Sequence, residues 1–206
     1  MFSGLIRNIG KIVNISNDTI TISSNLKPKL GASIAINGIC LTNIHYSNGC
    51  FNVNLSTESR KLIAMENIYI NAKVHLEEAL KLSDRLDGHI VQGHIDSIGE
   101  IDRINENKLG IDFWISYKDD INKLIIPKGS ICIDGVSLTV NECYKNCFRI
   151  TIVPHTFKNT LFNTYEIKRR VNIETDILAR SINHLLQSNN SSNTSWHTID
   201  SILTTY

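Results

Sequence analysis

The sequence predicts an all-β protein of two tandem, similar β-barrels closed by a short C-terminal helix. Three observations carry that expectation. Apolar and polar residues alternate at period two over much of the chain, and the chain repeats itself at a nearly constant offset. After Asp176 the apolar spacing then changes from strand-like to helical.

Taken in order, Thr19–Ile22, Ser33–Ile36, Phe51–Leu55 and Ile68–Ile70 alternate as half-buried strands do. Asn48-Gly49 ahead of Cys50 is a two-residue hairpin signal, and Lys27-Pro28 with Gly31 marks another reversal. Gly38-Ile-Cys-Leu-Thr42 overlays Gly135-Val-Ser-Leu-Thr139 at 135 − 38 = 97, with Ile34 and Ile36 on Ile131 and Ile133. The same offset puts Phe51, Val53 and Leu55 on Phe148, Ile150 and Ile152, and Glu58-Ser59 on His155-Thr156. It also puts Val74, Leu76 and Glu77 on Val171, Ile173 and Glu174. Near the start the offset is 93 − 4 = 89, aligning Gly4, Ile6, Gly10 and Ile12 with Gly93, Ile95, Gly99 and Ile101. The difference, 97 − 89 = 8, places an insertion between about Asp102 and Lys123, where it should lengthen a hairpin.

Closure is how a small all-β unit removes its edges, so the repeats read as barrels over residues 1–88 and 89–176. Asp87–Asp96 is the seam, expected as a strand entering the second barrel. Its two histidines, five residues apart, would face opposite sides, leaving His89 a half-exposed side chain. Residues 177–187 form an amphipathic helix whose stripe of Ile177, Leu178, Ile182, Leu185 and Leu186 needs a cover. That cover is either its own barrel or another subunit. The polar run that opens residues 188–206 reads as a flexible tail.

Twenty-one basic against twenty acidic residues, with no basic cluster, give no footprint for nucleic acid or an anionic membrane. No apolar run is long enough to span a bilayer and no signal peptide is recognisable, so the expected location is cytoplasmic. Cys40, Cys50, Cys132, Cys143 and Cys147 are dispersed and odd in number. That argues against a disulfide frame or a zinc site.

The duplicated Gly-x-(Cys/Ser)-Leu-Thr signature implies a duplicated site. On a strand Cys40 and Thr42, like Ser137 and Thr139, share one face, while Leu41 and Leu138 point to the other. Small side chains and glycines let a flat ligand lie against backbone N–H and C=O groups. Alone, the signature fits equally a barrel strand with small residues at a crowded crossing.

Five blocks together are more specific: Met1–Ile6, Asn37–Thr42, Asp87–Asp96, Ile133–Val140 and Pro154–Thr160. In this order they resemble riboflavin synthase of the alpha-chain type, over Met1 to about Leu186. The resemblance implies two six-stranded antiparallel Greek-key barrels and a C-terminal helix that assembles a homotrimer, with lumazine synthase a candidate partner. It implies a transferase that dismutates two molecules of 6,7-dimethyl-8-ribityllumazine per site. A four-carbon unit passes between them, giving riboflavin and 5-amino-6-(D-ribitylamino)uracil without cofactor or metal. By the same resemblance one pocket draws on Gly4, Leu5, Ile6, Cys40, Leu41, Thr42, Asn54, Leu55, Ser56, Thr57, Glu58 and Ser59. The other draws on Gly93, His94, Ile95, Ser137, Leu138, Thr139, Thr151, Ile152, Val153, Pro154, His155 and Thr156, with Lys128 reaching over from a neighbouring subunit. His94 is the expected proton shuttle, Ser137 and Thr139 would orient the proton donor, and Cys40 is a nucleophile, a polarising contact or a structural thiol. Asp134 and Asp176 are further candidates, with exposed turn carboxylates as the plain alternative.

The chain departs from the family pattern at Asp87, Asn43, Ser3 and Ser59-Arg60, mostly in and near the first barrel. Relatives that carry a lumazine or flavin as a light-emitting antenna keep the barrels but lose polar residues from one site. This chain retains Cys40, Thr42, His94, Ser137 and Thr139, which favours the enzyme over the antenna. An unrelated tandem-barrel interaction module would leave the Gly-His pairs without a purpose.

Overall fold

A computed structural model of the chain describes residues 1–118 and 121–191. Among them, β1 (Asn8–Ser16), β2 (Thr19–Ser23), β3 (Ser33–Ile36), β4 (Ile39–Ser47), β5 (Cys50–Asn54) and β6 (Lys73–Glu78) close a barrel in the order β1-β2-β5-β4-β3-β6. A second barrel repeats that topology with β7 (Ser97–Asn107), β8 (Gly110–Tyr117), β9 (Ser130–Ile133), β10 (Val136–Tyr144), β11 (Cys147–Ile152) and β12 (Arg170–Thr175). Short helices α1 (Thr57–Leu62) and α2 (Pro154–Asn159) follow the equivalent strands β5 and β11, and α3 (Ile177–Ser191) ends the described chain. No helix among the described residues is long and apolar enough to cross a membrane.

The alternating residues fill the barrels. Ile12, Ile22, Ile34, Phe51, Val53 and Leu76 lie in one core, and Ile101, Ile115, Ile131, Phe148, Ile150 and Ile173 lie in the other. Asn48 and Gly49 both take positive φ, as a tight β4–β5 hairpin requires. The insertion divides in two. Ile22 pairs with Ile12 and Ile115 with Ile101, so the offset grows from 101 − 12 = 89 to 115 − 22 = 93 within the β7–β8 hairpin, and to 97 only beyond β8.

Four expectations are corrected. Ile68–Ile70 is not a strand: it follows a 3₁₀ turn at Met65–Asn67, Tyr69 and Ile70 are exposed, and the chain reverses through Asn71 at φ 74°. The seam is not a strand either, since Val91 alone bridges, to Phe2. The helix runs to Ser191 rather than ending at residue 187, and the rest of the expected tail, from 192, lies outside the described residues. The stripe of Leu178, Ile182, Leu185 and Leu186 is exposed, so the chain's own barrel does not cover it.

The barrels meet through reciprocal contacts, as if related by a twofold axis. Phe2 and Val91, equivalent in the repeat, exchange backbone hydrogen bonds of 2.7 and 3.1 Å. The Gly38 and Gly135 turns touch backbone to backbone; a Cβ on either would lie 2.7 or 2.8 Å from the other's nitrogen. His75 and Asn172, again equivalent, each accept a backbone N–H from the opposite half, Leu161 at 2.7 Å and Ala64 at 2.8 Å. Because His75 Nε2 accepts, Nδ1 carries the proton and donates to the Asp134 carbonyl at 2.8 Å. The Asp134 carboxylate accepts from Tyr165 Oη at 2.6 Å and from Asn172 N at 2.8 Å.

Burial holds His75 down at about 4, from an ordinary 6.5, and pushes Asp134 up to about 6, from 3.8. Neutral His75 therefore contributes stability that is whole above pH 6.5 and lost as pH falls toward 4. Asp134, taking up its proton early in the folded state, adds stability as pH falls from 6 toward 3.8. Each effect is worth roughly 3 kcal/mol, and they oppose. Asp134→Asn should unmask the histidine, so that stability from urea melts falls more steeply between pH 6.5 and 4 than in the parent. Parallel pH profiles would show that the two groups do not offset each other.

Candidate functional site

Two buried glutamates at equivalent positions organise the site. Glu77 on β6 accepts Ser3 N and Ser3 Oγ, both at 2.7 Å, and Gly4 N at 3.0 Å. Glu174 on β12 accepts Gln92 N at 2.7 Å, Gly93 N at 2.8 Å and His94 N at 3.0 Å. Burial raises both carboxyl pKa values and the N–H donors oppose it, so the loops themselves supply the polarity that the interior lacks.

Each clamped loop then crosses to the other barrel. Gly4 O accepts Ser137 N at 2.7 Å, and Gly93 O accepts Cys40 N at 2.9 Å. Both glycines hold positive φ, 73° and 84°. A Cβ on Gly4 would lie 2.6 Å from Ser137 Cβ, and one on Gly93 would lie 2.5 Å from Cys40 Cβ, so the approach excludes any side chain. Ile6 packs on the second core and Ile95 on the first.

The expected grouping is therefore corrected at the two crossings. Gly93 lies on Cys40, and Ile95 packs against the core that holds Leu41 and Leu55. Gly4 lies on Ser137, and Ile6 packs against the core that holds Ile152, as Leu138 does. Repetition identifies equivalent residues, and only the fold shows which of them become neighbours.

Individual side chains are sorted by strand alternation. Leu41, Leu55 and Ile152 are buried in the barrel cores, while Leu138 packs against the second core from its rim. Thr42, Thr139, Val153, Pro154 and His155 are exposed. Thr57, Glu58 and Ser59 lie on α1, which Ser56 caps by accepting Ser59 N at 3.0 Å; Pro154, His155 and Thr156 open α2. Thr151 Oγ1 donates to Asp112 at 2.6 Å, and Asp112 also pairs with Arg149 at 3.0 Å. Cys40 is half-buried beside a small apolar cluster of Phe2, Ala35, Val91 and Cys132. His94 projects an exposed ring from a loop whose backbone is fixed. Lys128 is exposed between β8 and β9 and joins neither group.

His89 is the residue that the sequence reading undervalued. It is buried at 7% exposure instead of half-exposed, because the seam folds back under the first loop: His89 N donates to Ser3 O. Its Nδ1 lies 2.7 Å from Ser137 Oγ, its Nε2 has no hydrogen-bond partner among the described residues, and burial lowers its pKa, favouring a neutral ring. A neutral imidazole on a serine hydroxyl can take or return a proton. The odd spacing of the Gly-His pairs was the available signal, and reading the seam as extended hid it. Asp176 caps α3 by accepting Leu178 N at 2.9 Å and lies near enough to act on His89 by charge. Asp134 is fully buried between the barrels, not an exposed turn carboxylate and not in either group.

Two of the departures gain reasons. Asn43 sits buried at a bulge, donating to the carbonyls of Pro28 and Lys29 at 3.1 Å each and accepting His45 N, so its amide is satisfied where an aliphatic residue needs nothing. Arg60 ties α1 to the β1–β2 turn through Asn17 O at 2.6 Å and Asp18 at 3.5 Å. Clefts of about 740 and 760 Å³ open beside Arg7, Lys81 and Arg85 and beside Lys61, Asp96 and Arg170, and neither is lined by Ser137 or Cys40.

The lumazine binding domain family model matches residues 3–79 and 92–176. Riboflavin synthase of Photobacterium phosphoreum is 38% identical over 197 residues, covering 90% of this chain and 89% of its own. That of Bacillus subtilis (strain 168) is 34% identical over 201 residues, 94% of each chain. LumP, solved in complex with 6,7-dimethyl-8-(1'-D-ribityl) lumazine, superposes with a TM-score of 0.74 at 22% identity, over 85% of this chain and 99% of its own, a likeness of fold.

Gly93→Ala should lower stability by about 1–3 kcal/mol, through both its positive φ and the clash with Cys40. Gly31→Ala has a similar φ of 78° but open space around it, and should cost less. Equal shifts in their urea midpoints would remove the close-approach argument.

Proposed function

This chain belongs to the riboflavin synthase family of lumazine-binding proteins, and from that premise we propose that it dismutates 6,7-dimethyl-8-ribityllumazine as a transferase. Two molecules exchange a four-carbon unit to give riboflavin and 5-amino-6-(D-ribitylamino)uracil. The observation that carries this reading is the reciprocal crossing of the Gly4 and Gly93 loops. It builds two related groups of small polar side chains and open backbone, one for each copy of the same flat molecule. Holding two reactants in register converts a collision into a positioned encounter, with effective molarities of about 10⁵ M or more.

The substrate supplies much of the reactivity, since delocalisation into the ring makes its C7 methyl protons acidic and C7 of the partner molecule electrophilic. The protein adds proton transfer and orientation. Ser137 with His89 behind it would take and return the methyl proton at the Gly4 group, with Thr139 orienting that molecule. Cys40 and Thr42 would hold the other molecule at the Gly93 group, and His94 would shuttle protons between water and the reacting pair.

Residues of both groups lie on open surface in a single chain, and the apolar stripe of α3 is uncovered. Both features support a homotrimer in which a second copy closes each site and brings Lys128 over it. All five cysteines are free, which suits a reducing cytoplasm. Lumazine synthase, which would supply the substrate, is the candidate partner in the cell.

Purified protein mixed with 6,7-dimethyl-8-ribityllumazine should produce riboflavin, followed by absorbance and fluorescence. Binding without product would make the protein a carrier, and absence of binding would sink the reading altogether. His94→Ala and Ser137→Ala should each slow turnover by about a hundredfold or more. A variant within about twofold of the parent would remove its residue from the mechanism.

A further inference from the structure

The two clamped loops are not held alike. Glu77 fixes the Ser3–Gly4 loop with its carboxylate alone, and the position equivalent to Arg180, 180 − 97 = 83, is the exposed Ser83 of the linker. In the second copy Arg180 reaches down from α3 onto the loop. Its Nη1 lies 3.0 Å from Asp96 Oδ1, and its Nη2 lies 3.0 Å from Gln92 Oε1 and 3.5 Å from Glu174 Oε1. Asp96 is itself fixed, its Oδ2 accepting both Thr175 N and Thr175 Oγ1 at 2.7 Å. One planar guanidinium thus bridges the residues on both sides of Gly93–Ile95 and the carboxylate that holds Gly93. Gly93 O in turn fixes Cys40 N.

We propose that Arg180 is a positioning residue through which the seating of α3 sets the geometry of the Gly93–Ile95 loop and of Cys40. Through this side chain the C-terminal helix governs the Gly93 group, since every side-chain contact of Arg180 falls on that loop or on the carboxylates that hold it. The proposal rests on the reading of these loops as substrate-binding. Arg180 touches no reacting atom; it acts through Glu174, Asp96 and Gln92. The helix is secured at its start by the Asp176 cap, and its exposed stripe begins at Leu178, two residues before Arg180. Whatever displaces the first turns of α3 therefore withdraws the guanidinium from the loop.

The test compares the full-length parent with Arg180→Met, Arg180→Lys and Gln92→Leu, each checked for cooperative thermal unfolding. Iodoacetamide alkylation of Cys40 is read by mass spectrometry beside Cys50, a half-buried thiol at the β4–β5 hairpin of the same barrel. Arg180→Met should speed Cys40 alkylation without changing Cys50, and lower kcat by about tenfold to a hundredfold. Arg180→Lys, which keeps the charge without the fork, should recover much of both. Gln92→Leu leaves both ion pairs in place and should shift both readings slightly in the same direction, so it decides the matter if Arg180→Met does not fold. For Arg180→Met, a Cys40-to-Cys50 ratio and a kcat within about twofold of the parent would overturn the proposal; if that variant does not fold, a Gln92→Leu variant indistinguishable from the parent in both readings would overturn it. So would equal acceleration at both cysteines, or a lysine variant no better than methionine. If the parent forms no riboflavin, the functional reading fails, and the alkylation ratio still decides whether Arg180 sets the loop.

Discussion

A buried carboxylate facing backbone N–H groups is the interaction on which the rest of the molecule depends. Glu77 and Glu174 stand inside the protein without a full complement of charge partners, Glu77 with hydrogen-bond donors alone. An isolated carboxylate there would be costly, so each is tolerable only while a loop folds over it and presents two or three donors. The loops are therefore positioned by an electrostatic demand of the barrels and not by their own propensities. Once positioned, they lie across the opposite barrel, and the two halves become a single unit joined at both crossings.

This explains which parts of the structure were legible in the sequence. The barrels were, because a closed sheet with a filled interior requires alternation and because duplication printed the same alternation twice. The Asn48-Gly49 hairpin was, because two consecutive positive φ values demand such residues. Ile68–Ile70 misled, since a surface turn that carries isoleucines imitates a strand when pairing partners are unknown. The crossing of the loops could not be read, because an internal repeat reports equivalence and carries no information about which equivalent element a loop will touch.

The polar groups divide along the same line. His89 looked ordinary because burial and partnership are properties of the folded seam, and Asp134 looked like a turn residue because its turn is on the surface of one barrel but inside the pair. Asn43 and Arg60 looked like plain departures from the family pattern, yet both are engaged in hydrogen bonds. A neutral imidazole beside a hydroxyl and a guanidinium across a loop both arise from contacts between distant segments. Single-residue patterns do not record such contacts.

The exchange of loops also bears on how the two copies have been able to evolve. A strand residue at Cys40 or Ser137 is in van der Waals contact with a glycine encoded in the opposite half, so neither half has an independent surface to optimise. Divergence must proceed in matched steps. A hybrid that spliced the first half of one relative to the second half of another would meet its mismatches at both crossings together, even if each barrel on its own were sound.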